Sequence, residues 1–464
     1  MFDTLLMACG IRTSYGDSPP TSGVWICYAS SQEPEAGTDR CIRIEHEPAA
    51  WVFFEGDTDV ETAREVEGLA IVLSRTGSLC PDPCRIAFDL VANAFYFLTS
   101  WSERRASRDE SSRQLHAASV YARLGVPQDI VDRYVERLSA AIGKVWNGQF
   151  QSAQAAARWP GGGTFAVALS HDVDFLPVHP LDNATQAAKS VLRHLVRQRN
   201  PGDAIQAGFG FAKAILTGRD PYGCVPEIIA QECARGVRSS FQVAVARRHP
   251  ADVNYDVRDD RTADYLRAIT RAGFDLCLHG SYRSTERREW YMEEVEVLAE
   301  RLGRPLGSRQ HFLSFNYDTL FAAQEEAGIQ YDMSIGFPDH PGPRAGFSFP
   351  YFPFDLERNR PFDVVETSLF YMDVTLQSYL RLTPGAALRV LDAGLDDLAC
   401  KGGAVSVVWH PIVFAGARDP GYEDVYWHLV EHVRELGGVA TDGRTINEHW
   451  RRLARDYASF ARQR

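Results

Sequence analysis

"FAVALSHDVDF", residues 165–175, decides how the rest of the chain is read. The apolar run FAVALS passes directly into His171, Asp172, Val173 and Asp174. An uninterrupted apolar run of this length reads as a buried strand. Burying carboxylates is costly unless something compensates them. Asp172 and Asp174 are two positions apart, so on a strand they share one face. Two close carboxylates repel; a metal ion or a fixed cation relieves the repulsion and leaves one of them able to act as a base. The plainer alternative is an Asp pair that caps the turn after the strand. By the same alternation His171 faces away and has a supporting role.

Outward from this strand, the downstream sequence alternates strands with helices. Strand patterns lie at "SSFQVAV", "FDLCLHG", "LGSRQHFLSF", "IQYDMSIGF", "FDVVETSLF" and "AVSVVWHPIVF". Between them come helical periods such as "TADYLRAITRAG", "RREWYMEEVEVLAERLG" and "YDTLFAAQEEAG", each ending in Gly just past the last turn, the expected stop signal. This order implies an α/β fold with a parallel sheet and helical crossovers. A (β/α) barrel of about seven strands accounts for it, and an open doubly wound sheet fits nearly as well.

Upstream of residue 160 the pattern differs. Short strands mix with a core helix around "IAFDLVANAFYFLTSW", 86–101, and an amphipathic helix in "PQDIVDRYVERLSAAIGKVW", opened by Pro127. "QSAQAAARWPGGG", 151–163, is a boundary signal. The sequence therefore predicts a smaller α+β accessory domain over 1–155 and a barrel over 160–464.

The 464 residues carry a formal net charge of −12, which argues against a nucleic-acid footprint, since phosphate binders show basic stripes. Nine cysteines, an odd number, and an N-terminus without the charged and apolar regions of a signal peptide predict a cytoplasmic protein. The segment "AAKSVLRHLVRQR", 187–199, is a basic amphipathic helix candidate. Resting on an anionic membrane is one role for it, and a lid over the barrel mouth is the favoured one. The aromatic stretch "FSFPYFPFD", 347–355, suits either a sugar cleft or a packed loop. Nothing in the sequence sets the oligomeric state.

Ionisable residues recur at the C-terminal ends of the strands: Asp172 and Asp174, then His279, then Arg309 and His311, then Asp332, Glu366 and His410. In a barrel those ends converge on one face, where catalytic groups gather. His279 is a candidate ligand beside the Asp pair. His410 suits either a ligand or a general acid. Arg309 either orients a carboxylate or pairs with Asp332. His179, His249, His340 and His428 lack this placement and read as solvent or packing histidines.

These motifs resemble the polysaccharide deacetylase family, carbohydrate esterase family four, over residues 164 to about 440. "SHDVD" is similar to the family's D-x-D motif, which implies Asp172 as base and Asp174 as metal ligand. "HGSYR" resembles H-S/T-x-x-H, keeps His279 as a ligand and places Arg283 where the second His belongs. "RQHF" resembles R-x-P-Y/F, with Arg309 orienting the base and Phe312 retained. Asp332 in "YDMS" corresponds to the Asp that tunes the catalytic His, and "VVWH" supplies His410 as general acid. The N-terminal region is similar to the accessory domain of one divergent branch.

The resemblance implies a distorted (β/α) barrel that removes acetyl groups from an N- or O-acetylated sugar or polysaccharide with a divalent metal, commonly zinc. Arginine stays protonated and cannot be a ligand. Zinc in a catalytic site normally takes three protein ligands, so the expected set is Asp174, His279 and His311. Arg283, Phe312, Glu366 and Trp409 are the expected substrate contacts. The alternatives are a metal-independent C–N hydrolase on the same barrel, with Arg283 serving an oxyanion, and a non-catalytic glycan-binding relative.

Overall fold

The computed structural model describes residues 2–11, 24–29, 41–73, 82–105, 115–146, 158–176, 224–245, 247–414 and 420–462, with scattered positions between 188 and 216. His179, residues 151–157 of the boundary stretch and most of the basic helix candidate lie outside the described residues. Among the described residues no helix is long and apolar enough to cross a membrane.

The strand Ala166–Val173 is buried at all eight positions, as its apolar run requires. It lies at the middle of a wholly parallel sheet whose next members on one side are Ser240–Val243, Asp275–Gly280, Gly307–Gln310, Tyr331–Asp332 and Val365–Glu366. On the other side stand Ala404–Val408 and then Leu369–Met372. Val365–Glu366 and Leu369–Met372 are consecutive pieces of one chain segment, so the sheet curls until both of its ends meet on that segment. The fold is a (β/α) barrel, not the open doubly wound sheet. Gly307 shows how closely the staves are filled: a Cβ there would overlap the Tyr331 ring.

The crossover helices follow their sequence signals. Asp259 accepts a hydrogen bond from the Thr262 N–H at the start of Asp260–Arg271, and Asn316 from the Thr319 N–H at the start of Tyr317–Ala327. Such caps contribute about 1 kcal/mol each. Gly328, at φ 78°, stops the second helix in the left-handed conformation that glycine adopts freely. The strand expected over 329–337 is only two residues long. The Asp332 carboxylate takes the Ser334 N–H, and this local turn competes with the ladder. The helix Val225–Arg235 and the strand Val439–Thr441, which pairs with Ala166–Ala168, were not expected from the sequence.

The N-terminal elements centre on the helix Leu90–Leu98, all nine residues of which are buried. The two polar residues of its sequence have specific work. Asp89 caps it by accepting from the Ala92 N–H, and Asn93 takes the Val72 and Leu73 N–H groups while donating to the Leu73 carbonyl. One apolar cluster runs from this helix through Ile130, Tyr134 and Leu138 to Phe347, Phe349 and Tyr351. The aromatic stretch 347–355 is thus a packed loop between the N-terminal helices and the barrel, and does not line a sugar cleft. Ser348 is tied to Asp132 through both its N–H and its hydroxyl, at 2.8 and 2.5 Å.

Candidate active site

The strand ends bring Asp172, Asp174, His279, Arg309, His311 and His410 into one constellation. The direction of each group follows from its strand. Asp172 and Asp174 point inward together, while His171 turns outward. There His171 is fully buried, with Nδ1 donating to the Trp409 carbonyl at 2.7 Å and Nε2 3.0 Å from Glu232.

Asp172 is held on one oxygen. Arg309 Nη1 donates to Asp172 Oδ1 at 2.7 Å and to Ser170 Oγ at 2.7 Å, while Arg309 Nε donates to the Met333 carbonyl. Of the two carboxylates expected for it, Arg309 bonds Asp172 and not Asp332. Burial pushes the Asp172 carboxyl up, and Arg309, His279 and His410 outweigh that and hold it below the usual carboxylate range.

Asp174, His279 and His311 bring one ligand atom each within 4.8 Å of one another. His279 Nδ1 lies 3.0 Å from the Arg309 carbonyl. A carbonyl only accepts, so Nδ1 carries a proton and Nε2 is the nitrogen turned toward the site. That Nε2 stands 3.1 Å from Asp174 Oδ1 and 3.8 Å from Asp172 Oδ2. His311 Nε2 stands 3.7 Å from Asp174 Oδ1, and its Nδ1 is 3.4 Å from Asp252 Oδ1. Asp252 is itself fixed by the Tyr282 and His249 N–H groups. A carboxylate behind a histidine whose other nitrogen faces the site is the usual support of a metal ligand. Both Asp174 Oδ1 and His279 Nε2 are buried without a hydrogen bond. A carboxylate oxygen and an imidazole nitrogen, 3.1 Å apart and not aligned for a hydrogen bond with each other, are both metal-donor atoms and fit a divalent cation. Burial raises the Asp174 carboxyl, but His311, His279 and His410 draw it well below its ordinary value.

His410 closes the other side, with Nε2 3.4 Å from Asp174 Oδ2. Its partner is Asp373, which accepts from His410 Nδ1 at 2.7 Å and from the His410 backbone N–H at 3.0 Å. Burial alone lowers an imidazole, yet Asp373 and Asp174 raise His410 well above its normal range and keep it protonated. A small pocket of about 10 Å³, room for about one water, opens beside it, lined in part by Gln377, Ile412 and Val413.

Several expected roles do not survive this geometry. Asp332 does not tune His410: it is fully buried, bonded to Gln324 and Ser334, and paired with Glu366. Glu366 is equally buried and receives the Ile335 N–H, so it cannot meet a substrate; burial and the Asp332 charge raise its carboxyl well above normal. Trp409 is sealed in, its indole donating to the Tyr422 carbonyl. Arg283 is partly exposed, and its ion pair is with Glu286 at 3.3 Å, not with the aspartates. Phe312 does stand at the rim, with φ 59° and its ring stacked on His311 at 4.2 Å.

The sequence reading missed Asp373, Asp252 and Ser170. Asp373 directly follows Leu369–Met372, so it carries the same strand-end signal as the others. It escaped because that strand was expected to end at residue 370. Asp252 lies in an irregular loop after His249 and gives no comparable signal.

Neither a protein-family model nor a curated protein matches the sequence. Among solved structures the chain is similar to a protein from Mycobacterium smegmatis provisionally named a polysaccharide deacetylase, at 20% identity over 65% of this chain and 94% of that one, TM-score 0.43. It is similar as well to Puue allantoinase, at 16% identity over 66% and 95%, TM-score 0.41. A provisionally named polysaccharide deacetylase from Pseudomonas aeruginosa PAO1 compares at 14% identity over 66% and 96%, TM-score 0.41.

Proposed function

We propose that this chain is a metal-dependent hydrolase that removes acetyl groups from an N- or O-acetylated sugar or polysaccharide. One observation carries the reading. Asp174 and His279, 3.1 Å apart without an aligned hydrogen bond, turn metal-donor atoms to a common point beside His311, between an Arg-held carboxylate and an Asp-held imidazole.

Asp174, His279 and His311 would hold the cation. When bound, a divalent ion such as zinc supplies Lewis-acid polarisation of the acetyl carbonyl and acidifies the attacking water. Asp172, with Oδ1 fixed by Arg309, keeps Oδ2 available to take a proton from that water. His410 carries the proton that the departing nitrogen or oxygen requires and delivers it from Nε2. Asp373 fixes the imidazole tautomer and its direction through two hydrogen bonds. Asp172 then gives up its proton and His410 takes one back from solvent, and the net products are acetate and the free amine or alcohol. Phe312, exposed at the rim, is the apolar surface offered to a sugar ring.

The metal-independent alternative needs a cation at the oxyanion, and Arg283, the residue expected to supply it, pairs with Glu286 instead. We place the activity in the cytoplasm, on the sequence pattern of cysteines. The test is acetate release from a panel of acetylated sugars, with the protein stripped by chelation and reloaded with zinc or cobalt. Release that depends on the metal supports the reading; equal release by stripped and reloaded protein removes the metal from it.

A further inference from the structure

A second cluster of metal-ligating side chains lies outside the barrel mouth. The helices Pro384–Lys401 and Tyr422–Glu435 pack against each other and flank, in sequence, the strand Ala404–Val408 and His410. Asp392 comes from the first helix and His428 and His432, one turn apart, from the second. Their donor atoms all lie within 4.8 Å of one another.

His428 Nε2 is 2.7 Å and His432 Nε2 3.9 Å from the same atom, Asp392 Oδ1. The two imidazoles are stacked with centroids 5.5 Å apart and planes 14° from parallel, so both Nε2 atoms face the neighbouring helix. Asp396, one turn beyond Asp392, puts Oδ1 3.5 Å from His432 Nε2. Behind His432, Glu435 Oε2 stands 3.4 Å from Nδ1. This repeats the carboxylate-backed histidine seen at His311.

A plain hydrogen-bonded brace between helices accounts for His428 and Asp392. It does not account for His432, whose Nε2 is buried, makes no hydrogen bond, and lies between two carboxylates. Zinc binds imidazole nitrogen at about 2.0–2.1 Å and carboxylate oxygen at about 2.0–2.2 Å, which sets donor atoms roughly 3.4 Å apart in a tetrahedron. Asp392 Oδ1 lies 2.7 and 3.9 Å from the two Nε2 atoms, and Asp396 Oδ1 lies 3.5 Å from His432 Nε2, close to that spacing. Imidazole with carboxylate suits zinc and its borderline neighbours, cobalt and nickel.

We propose that Asp392, His428 and His432, with Asp396 as the fourth donor, form a second, non-catalytic divalent-metal site that clamps the two helices flanking the His410 strand. With four protein donors the site is closed, as structural zinc sites are, and it has no open position for a substrate. The clamp stands independently of the hydrolase reading.

The test is zinc binding to the full-length protein after chelator stripping, followed by calorimetry and, with cobalt, by visible absorption. The stoichiometry of the wild type is compared with that of the His428→Ala, His432→Ala double variant, and with His428→Gln, His432→Gln where alanine loosens the helix. The expected result is a loss of one equivalent of zinc per chain in the double variant, together with loss of the zinc-induced rise in Tm contributed by the clamp. If wild type binds two equivalents and the variant one, both metal sites exist. If wild type binds one and the variant none, the clamp stands and the catalytic metal falls. A variant that binds as many equivalents as the wild type overturns the proposal.

Discussion

Asp373 grips His410 twice, by the backbone N–H at 3.0 Å and by Nδ1 at 2.7 Å, and so fixes which nitrogen of the imidazole faces Asp174. Replacing Asp373 by Asn removes the charge that keeps His410 protonated and leaves its shape. The expected result is a fall in kcat of about 10²–10⁴-fold, the range of a lost general acid, with KM little changed. Asp332→Asn, at the residue that does not touch His410, leaves kcat near wild type. Steady-state kinetics on both variants decides between the two aspartates.

Asp252 stands behind His311 in the same way. Supporting carboxylates of this kind typically contribute 10–100-fold to metal affinity. Asp252→Ala is expected to weaken zinc binding at the catalytic centre by about that factor, measured by competition with a chromophoric chelator, and excess zinc should restore most of the activity. Activity that excess zinc cannot restore would argue that Asp252 positions something other than the ligand.

The substrate face can be tested by exposure. Phe312 sits on the rim, whereas Trp409 is fully buried. Phe312→Ala should raise KM several-fold with the fold intact. Trp409→Phe should lower Tm, because it removes the indole bond to the Tyr422 carbonyl, and should leave KM unchanged. Such a loss falls in the range of about 1–3 kcal/mol for a buried polar partner left unpaired.

The contact between the N-terminal helices and the barrel carries its own pH signature. Burial pushes the Asp132 carboxyl up to about 6, against the opposing pull of Lys401 and Ser348. A carboxyl raised in the folded state binds its proton there more tightly than in the unfolded chain. Its contribution to stability therefore falls as pH rises from about 4 to about 6 and is constant above that range. Asp132→Asn removes this term. The stability of the variant relative to wild type should climb by up to about 3 kcal/mol between pH 4 and pH 6.5, read from denaturant unfolding at each pH. A difference independent of pH contradicts it.

Most of the barrel was legible because its signals are local. The run 165–170 reads as a buried strand, and caps such as Asp259 and glycines such as Gly328 mark where helices start and stop. Strand-end polarity also pointed to Asp172, Asp174, His279, Arg309, His311 and His410, because in a parallel barrel the chain direction alone sets which end of each strand faces the mouth. What the sequence did not show depends on three-dimensional partners. Glu366 and Asp332 look like site acids in sequence, yet they pair with each other beneath the mouth. Trp409 and His410 follow the strand Ala404–Val408, and there the Trp409 ring is sealed in the core while His410 meets Asp174. The aromatic stretch 347–355 is apolar for a reason visible only in the fold: it is covered by the N-terminal helices.

The central claim is that these residues form a single hydrolytic centre with Asp172 as its base. The most direct measurement compares acetate release by zinc-loaded wild type and Asp172→Asn on the best acetylated sugar found, with the fold of the variant checked by circular dichroism. The account predicts that the variant folds, still binds zinc at Asp174, His279 and His311, and loses at least about 10²-fold in kcat. A folded variant that turns over as fast as wild type would contradict it.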